Sequence, residues 1–290
     1  MNILYWFLRF FGYLLSLLPY KLIFLISDFL YIIVHYLVGY RKAIVFNNIR
    51  NSFPEKNDKE IKIIAKKFYH NLCDFIFELI KANYLSFNRL QKTFEFINVD
   101  LLNKYYEQGR SVLYVCGHTP NWEIAGMLLP RFVKHEVNAV YLPLSNNVFD
   151  KIMINLRSRF GVKMVSSSQS LRKFVENKNK LTLNLMVADQ SPIESEIHFW
   201  TNFLNQDTPV FLGVERIAKK MDYVVVFTRI NRVKRGNYEV SFIPVTENPK
   251  ETKEFEITEK HTKILEETIK MYPDNYLWSH RRWKHKRTQY

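Results

Sequence analysis

From Ile3 to Val38 the chain is almost wholly apolar, broken by Arg9, Pro19, Lys21, Asp28 and His35. Such a stretch must be covered by lipid or by the rest of the protein, so it limits what everything after it can build. Leu22 to Gly39 approaches the roughly 20 residues that cross a bilayer, yet Asp28 and His35 would be expensive at the centre of a span. Crossing the membrane and lying in its interface therefore both remain open. The segment lacks the marks of an ordinary signal peptide: a basic start, a small-residue cleavage site and a polar mature segment close behind. It reads as a retained hydrophobic anchor over residues 1–40. The basic flank that follows, Arg41, Lys42 and Arg50, favours the cytoplasmic side of a membrane and suits anionic headgroups.

The remaining residues, 41–290, are enough for one α/β domain with a full core, given 290 residues and 47% hydrophobic content. An excess of 42 Lys and Arg over 28 Asp and Glu gives +14, which asks for an anionic partner: nucleic acid, an acidic protein or phospholipid. The 16% aromatic content suits a protein that meets a membrane interface. Nucleic acid is not expected, because no basic reading helix or ribonucleoprotein motif is present. Cys73 and Cys116 stand far apart with neither metal-ligand nor disulfide-framework spacing, and they fit as small buried residues in a reducing compartment.

Three regions follow the anchor: a helical lead-in over 41–92, an α/β core over 93–272 and a basic aromatic tail over 273–290. In the lead-in, Ile61, Ile64, Ala65, Phe68, Leu72, Phe75, Ile76, Leu79 and Ile80 recur at helical spacing between Asn57 and Lys81. Asn57 with Glu60 resembles a capping box, and Lys62, Lys66 and Lys67 take the polar side. In the core, strand-like runs at 111–116, 138–142, 162–165, 181–187, 223–230 and 238–245 alternate with helix-like runs at 146–160, 169–177 and 209–220. Alternation of this kind indicates an α/β sheet. The short turn at Arg235, Gly236 and Asn237 makes the last two strands antiparallel, so the sheet is mixed.

In such sheets sites collect at strand ends. One end is Cys116-Gly117-His118, reached from an apolar strand and followed by Thr119-Pro120-Asn121-Trp122-Glu123 at the start of a helix. An imidazole takes a proton from an alcohol near neutral pH when its ring is held and the correct nitrogen is free. Glu123 is placed to accept the Nδ1 proton and leave Nε2 of His118 as the base. The same string also describes a buried histidine beside a capping glutamate. Another strand end is Ala188-Asp189-Gln190. Walker, G-x-G-x-x-G, G-x-S-x-G and H-E-x-x-H signals are absent, which removes the usual grounds for nucleotide, serine-nucleophile and zinc-hydrolase readings.

The box from His118 to Glu123 looks like the H-x4-(D/E) motif of glycerolipid-type acyltransferases. More closely, the chain resembles the late lipid A acyltransferases of the lysophospholipid-acyltransferase-like superfamily. The similarity extends in order through Asn47-Asn48-Ile49-Arg50-Asn51-Ser52-Phe53-Pro54-Glu55, Arg157-Ser158-Arg159-Phe160-Gly161, Ala188-Asp189-Gln190, and Pro273 with Trp278-Ser279-His280-Arg281-Arg282-Trp283-Lys284. The familiar Phe-Phe-Gly is represented loosely by Phe199 to Leu204, in a region that shapes substrate fit. The resemblance implies a mixed α/β sheet flanked by helices, glycerolipid-acyltransferase-like, behind the membrane anchor. It implies O-acyl transfer from an acyl carrier protein thioester to a lipid A precursor hydroxyl at the cytoplasmic face of the inner membrane, with no cofactor and no metal. Another lysophospholipid or aminoacyl-lipid acceptor, or a non-catalytic carrier-binding homologue, are the alternatives. His118 and Glu123 are then the catalytic pair. Amides near Asn121 and Trp122 are oxyanion donors, Arg157 and Arg159 hold phosphate, and Asp189 and Gln190 support the pocket floor. The interleaved Trp and Arg of the tail suit either a headgroup interface or a packing cap.

Overall fold

The computed structural model describes residues 3–287, so the outermost residues of the anchor and the tail, 1–2 and 288–290, lie outside the described residues. The apolar segment forms two helices, α1 (Ile3–Leu17) and α2 (Tyr20–Ile32), the second prolonged by a π-helical turn, Ile33–Leu37. Pro19 separates them, since it can begin a helix but cannot continue one. Helix α3 (Lys42–Ser52) leads to α4 (Asp58–Ala82), whose start carries the expected capping box: the Asn57 side chain accepts from the amides of Lys59 and Glu60, and the Glu60 carboxylate from that of Asn57.

After the short α5 (Phe87–Leu90), strand β1 (Phe94–Phe96) and α6 (Asp100–Glu107) precede β2 (Val112–Cys116). Then come α7 (Trp122–Leu128), β3 (Glu136–Tyr141), α8 (Asn147–Arg157), β4 (Lys163–Ser166), α9 (Ser170–Glu176) and β5 (Thr182–Val187). The hairpin of β6 (Trp200–Phe203) and β7 (Gln206–Pro209) stands apart from the main sheet. Helix α10 (Gly213–Met221), strands β8 (Val224–Lys234) and β9 (Asn237–Thr246), and α11 (Glu256–Met271) complete the chain. Helix α11, β1 and the hairpin are not among the elements expected above, although α11 carries buried Ile257, His261, Leu265 and Ile269 at helical spacing.

The seven strands order as β1-β9-β8-β2-β5-β3-β4. All neighbours are parallel except β8 and β9, which pair antiparallel across the Gly236 turn, so the sheet is mixed as expected. Gly236 adopts φ +76°, a conformation that a side chain resists. Strand β2 is buried along its whole length, which explains why it reads as an unbroken apolar run rather than an alternating one. One core layer joins α3, α4, α10 and α11 to one face of the sheet; the other packs α6 and α7 on the opposite face.

Helix α4 departs from a simple amphipathic helix. Its buried residues include Asp74, Glu78 and Lys81 besides the apolar ones, whereas Ile76 is 40% exposed. The polar three are partnered. Asp74 takes charged hydrogen bonds from Arg232 (2.5 Å) and Arg235 (2.7 Å), and Lys81 donates to the carbonyls of Ser16 (2.7 Å) and Leu18 (2.5 Å) at the end of α1. Lysine at a helix C-terminus satisfies carbonyls that have no partner within the helix. Glu78 Oε2 accepts from the Tyr238 hydroxyl (2.6 Å) and from Asn121 Nδ2. Its Oε1 has no partner, which a neutral carboxyl tolerates better than a carboxylate.

Burial pushes the Glu78 carboxyl up to about 7, against the lowering effect of the Tyr238 and Asn121 hydrogen bonds. A carboxyl raised in the folded state contributes stability that is complete below its unfolded pKa of about 4.3 and is lost as pH climbs through the folded value. Glu78→Gln, neutral at every pH, should therefore remove a decline in Tm that the parent shows from about pH 5 to about pH 7. Thermal melts across that window check this, and parallel profiles for parent and variant would contradict it.

Candidate active site

Strands β2 and β5 run side by side and parallel, with Cys116 opposite Val187, so the chain leaves both at the same edge of the sheet. The two strand-end signals in the sequence, His118 and Asp189, meet there. His118 Nδ1 lies 2.6 Å from Asp189 Oδ1, and the His118 backbone amide donates to Oδ2 at 2.9 Å. Two anchors on one carboxylate fix both the position of the corner and the plane of the ring. Asp189 is nearly inaccessible at 3%, while the imidazole keeps 15% exposure. Gly117 lets α11 come close to the corner: a Cβ there would lie 2.7 Å from Leu265 Cδ1, so the end of that side chain would have to shift.

This corrects the expected partnership of His118 with Glu123. Glu123 sits on the first turn of α7, but its carboxylate is clasped by Arg157, with Nε to Oε2 at 2.7 Å and NH2 to Oε1 at 2.5 Å. Four residues separate Glu123 from His118 in the chain, yet Asn121, held in the left-handed region at φ 52°, turns the start of α7 so that the two side chains take different partners. Arg157 ends α8 and brings a fork whose two parallel donors match a carboxylate. Glu123 acts on the imidazole through its charge.

Phosphate binding by Arg157 and Arg159 is likewise not what their side chains do here. Arg159 NH1 donates to the carbonyls of Ala82 and, at 3.0 Å, of Leu85, closing the C-terminal end of α4. The Asn121 side chain is buried against Glu78. Trp122 does reach the site, edge-on to His118 with centroids 4.8 Å apart and stacked on Phe75 at 4.8 Å. Gln190 also reaches it, with Nε2 3.2 Å from His118 Nε2. With Nδ1 committed to Asp189, Nε2 carries the lone pair, and the exposed Gln190 amide donates to it.

The electrostatics suit a base. Burial disfavours the imidazolium, but the charge and hydrogen bond of Asp189, with Glu123 beyond, outweigh it and hold His118 above its usual range. Burial would raise Asp189, yet His118's charge and hydrogen bonds and the Arg282 charge keep it low, so it stays a carboxylate. Burial, with the charges of Asp189 and Glu123, drives the Cys116 thiol far up, which removes it as a nucleophile. His118 borders an apolar groove lined by Phe68, Leu72, Phe75, Pro120, Trp122 and Leu277. No group of His, Cys, Asp and Glu suited to a metal occurs among the described residues.

The tail supplies walls through its buried residues, while Arg281, Lys284, Lys286 and Arg287 stay exposed as a basic end. Trp278 is fully buried, and Arg282 is 2% exposed with its NH1 on the Pro209 carbonyl (2.9 Å). Asn48 Nδ2 donates to the carbonyls of Trp278 (2.8 Å) and His280 (2.9 Å), so the Asn-rich stretch after the anchor clips the tail in place. Of the two readings of the tail, packing is the one its side chains adopt. Glu78, which braces Asn121 from α4, was missed; its signal was an acidic residue inside the apolar run Phe75-Ile76-Phe77-Glu78-Leu79-Ile80, four positions from Asp74.

The family model for bacterial lipid A biosynthesis acyltransferases matches residues 1–285, and the chain belongs to that family. It is therefore an acyltransferase. It is 21% identical over 282 residues to the lipid A biosynthesis acyltransferase of Haemophilus influenzae, covering 94% of this chain and 85% of that one. It is 22% identical over 245 residues to the lipid A biosynthesis palmitoleoyltransferase of Escherichia coli, covering 84% and 79%. A lipid A biosynthesis acyltransferase of Shigella flexneri matches over the same length at 22%.

The two carboxylates should separate by mutation. Asp189→Asn removes the charge that holds the imidazole and should cost two or more orders of magnitude in kcat, with a shift of the pH profile toward lower pH. Glu123→Gln leaves the partly buried Arg157 without its charge partner and should lower stability by about 3 kcal/mol. In a double-mutant cycle with Arg157→Ala the losses should be strongly non-additive. Additive losses for Glu123 and Arg157, or an unchanged pH profile in Asp189→Asn, would contradict these assignments.

Proposed function

We propose that the protein transfers a fatty acyl chain from an acyl carrier protein thioester to a hydroxyl of a lipid A precursor, at the cytoplasmic face of the cell inner membrane. The observation that carries the reading is an imidazole oriented by a buried carboxylate, with its other nitrogen on the exposed Gln190 amide beside an apolar groove, in a chain of this family. The acceptor hydroxyl takes the place of the Gln190 amide at Nε2. His118 removes its proton as the oxygen attacks the thioester carbonyl, and Asp189 stabilises the imidazolium that forms. When the tetrahedral intermediate collapses, the C–S bond breaks and the imidazolium returns its proton to the departing thiolate. His118 is the base, Asp189 orients it, and Glu123 with Arg157 fixes α7 against α8.

The groove beside His118 suits an acyl chain, since each methylene withdrawn from water is worth about 0.8 kcal/mol. The net charge of +14 suits an acidic carrier and anionic lipid. The apolar outer faces of α1 and α2 suit attachment to a bilayer, and Tyr20–Leu37 is long and apolar enough by length and composition to enter one.

Purified protein with acyl carrier protein thioester and a lipid A precursor should show transfer by mass spectrometry of the product. His118→Ala should abolish it, and because the buried Asp189 loses its ring donor the melting temperature should fall as well, with circular dichroism checking that the variant is still folded at the assay temperature. The rate should rise with pH through an apparent pKa above about 6.5, because the base must be neutral and its folded pKa is raised. Carrier-dependent kcat/KM should fall as ionic strength passes about 0.1 M, more steeply than with acyl-coenzyme A. Retained activity in His118→Ala overturns the mechanism, and a better rate with acyl-coenzyme A overturns the donor.

A further inference from the structure

Helices α1 and α2 have their polarity inverted relative to a surface helix of a water-soluble protein. The residues of α2 and its π-helical turn that face the domain are Ile23, Ser27, Tyr31 and His35, spaced four apart, and those of α1 are Gly12 and Ser16. Facing outward on α2 and its extension are Leu22, Leu25, Phe29, Ile32 and Tyr36, between 45% and 64% exposed. On α1 the outward set includes Phe7, Phe10, Leu14 and Leu17. A continuous apolar outside over a polar inside fits a helix whose outer solvent is hydrocarbon.

The inward side is bolted along α4. Lys81 donates to the carbonyls of Ser16 and Leu18; the Ser27 hydroxyl donates to Asp74 at 2.6 Å; Tyr31 stacks on His70; and His35 packs on Tyr69 with ring centroids 4.7 Å apart. The α4 partners fall from 81 to 69 as the α2 residues rise, so the two helices are antiparallel over that length. Asp28 pairs with Arg235 at 2.6 and 3.0 Å, and Arg235 also donates to Asp74. Beyond the Pro19 break, α1 passes the end of α4, where the Tyr84 hydroxyl donates to the Arg9 carbonyl at 2.6 Å. It reaches α8, where Asn155 donates to the Tyr5 hydroxyl at 3.0 Å.

These contacts decide between crossing the membrane and lying in it. If α2 crossed a bilayer as packed, then Asp74, Arg232 and Arg235 would sit at hydrocarbon depth, where charged side chains are strongly disfavoured. If α2 were instead peeled from α4 to cross alone, Ser27, Asp28 and His35 would enter lipid, and Asp74 would lose Ser27 from its polar cluster. Laid flat, the pair satisfies both sides. At 1.5 Å per residue the helical segments within residues 3–37 sum to roughly 50 Å of axis on either side of the Pro19 break, all of it packed along the domain. Exposed Lys21, Arg41 and Lys42 bracket α2 where anionic headgroups would lie.

We propose that α1 and α2 attach the protein to one leaflet as an in-plane, monotopic helix pair that does not cross the bilayer, leaving the N-terminus and the catalytic domain on the same side. This rests on the membrane reading of the function, and the test separates the two. A cysteine is placed in a short Gly/Ser extension ahead of Met1 in one variant, and at exposed Lys59 (Lys59→Cys) in another. The native Cys73 and Cys116 are buried and give a low background. Each variant, full-length and in its membrane, is treated with a membrane-impermeant maleimide in spheroplasts and in inverted inner-membrane vesicles. Both cysteines should label in inverted vesicles, with at least tenfold less label in spheroplasts. Labelling of the N-terminal cysteine from the face opposite to Lys59→Cys overturns the in-plane arrangement and leaves the membrane reading standing. Recovery of the parent protein in the soluble fraction without detergent overturns the membrane reading itself. Leu25→Glu with Phe29→Glu, both on the outward face, should shift the membrane-to-soluble ratio by about tenfold or more at unchanged melting temperature.

Discussion

The site depends on one short contact between a buried carboxylate and an imidazole, delivered by two strands that neighbour each other in the sheet but lie about seventy positions apart in the chain. A carboxylate as deeply buried as Asp189 survives only with strong donors, and it has two from the same residue, the ring and the amide of His118. Satisfying Asp189 and orienting His118 are therefore one arrangement. The apolar packing of β2, β5 and α11 around the corner raises the value of that contact by keeping water from it.

Around this contact, helix α4 acts as the common support. One side of it takes the polar seam of α1 and α2; another braces Asn121 through Glu78; Phe68, Leu72 and Phe75 line the groove beside His118; and its C-terminal end is closed by Arg159. A helix with that many obligations cannot be a clean amphipathic stripe, which is why its buried face mixes Asp74, Glu78 and Lys81 with apolar residues. The two apolar N-terminal helices and the geometry of His118 are thus linked through a single element, α4.

The Glu123 and Arg157 pair gives the box glutamate a structural task. By tying the first turn of α7 to the last turn of α8, it holds Trp122 edge-on to the base, where a free carboxylate beside His118 would compete with Asp189 for the ring. The tail motif works in the same manner. Trp278 and Arg282 close the core behind Asp189, and Asn48 secures the backbone between them. What a linear reading treats as separate motifs is one continuous packing arrangement around the strand ends.

The sequence by itself determined the mixed α/β sheet, the long capped helix α4, the Gly236 hairpin, the acyltransferase family and the corner where His118 emerges. Each of these is written in local signals: hydrophobic period, turn residues, or ordered motifs. It also placed Asp189 and Gln190 at a strand end. Which carboxylate holds the imidazole was decided only by tertiary structure, because proximity in the chain favoured Glu123 while strand adjacency favoured Asp189, and a single left-handed residue at Asn121 turns Glu123 toward Arg157. The short strand β1 and the β6–β7 hairpin escaped for a related reason: their residues are chosen by the surfaces they cover, not by their own periodicity, whereas helix α11 does carry a helical spacing in Ile257, His261, Leu265 and Ile269. So too with the anchor, whose composition allows either a span or an in-plane helix, and whose polar residues acquire meaning only from the partners that α4 and the β8–β9 turn bring to them.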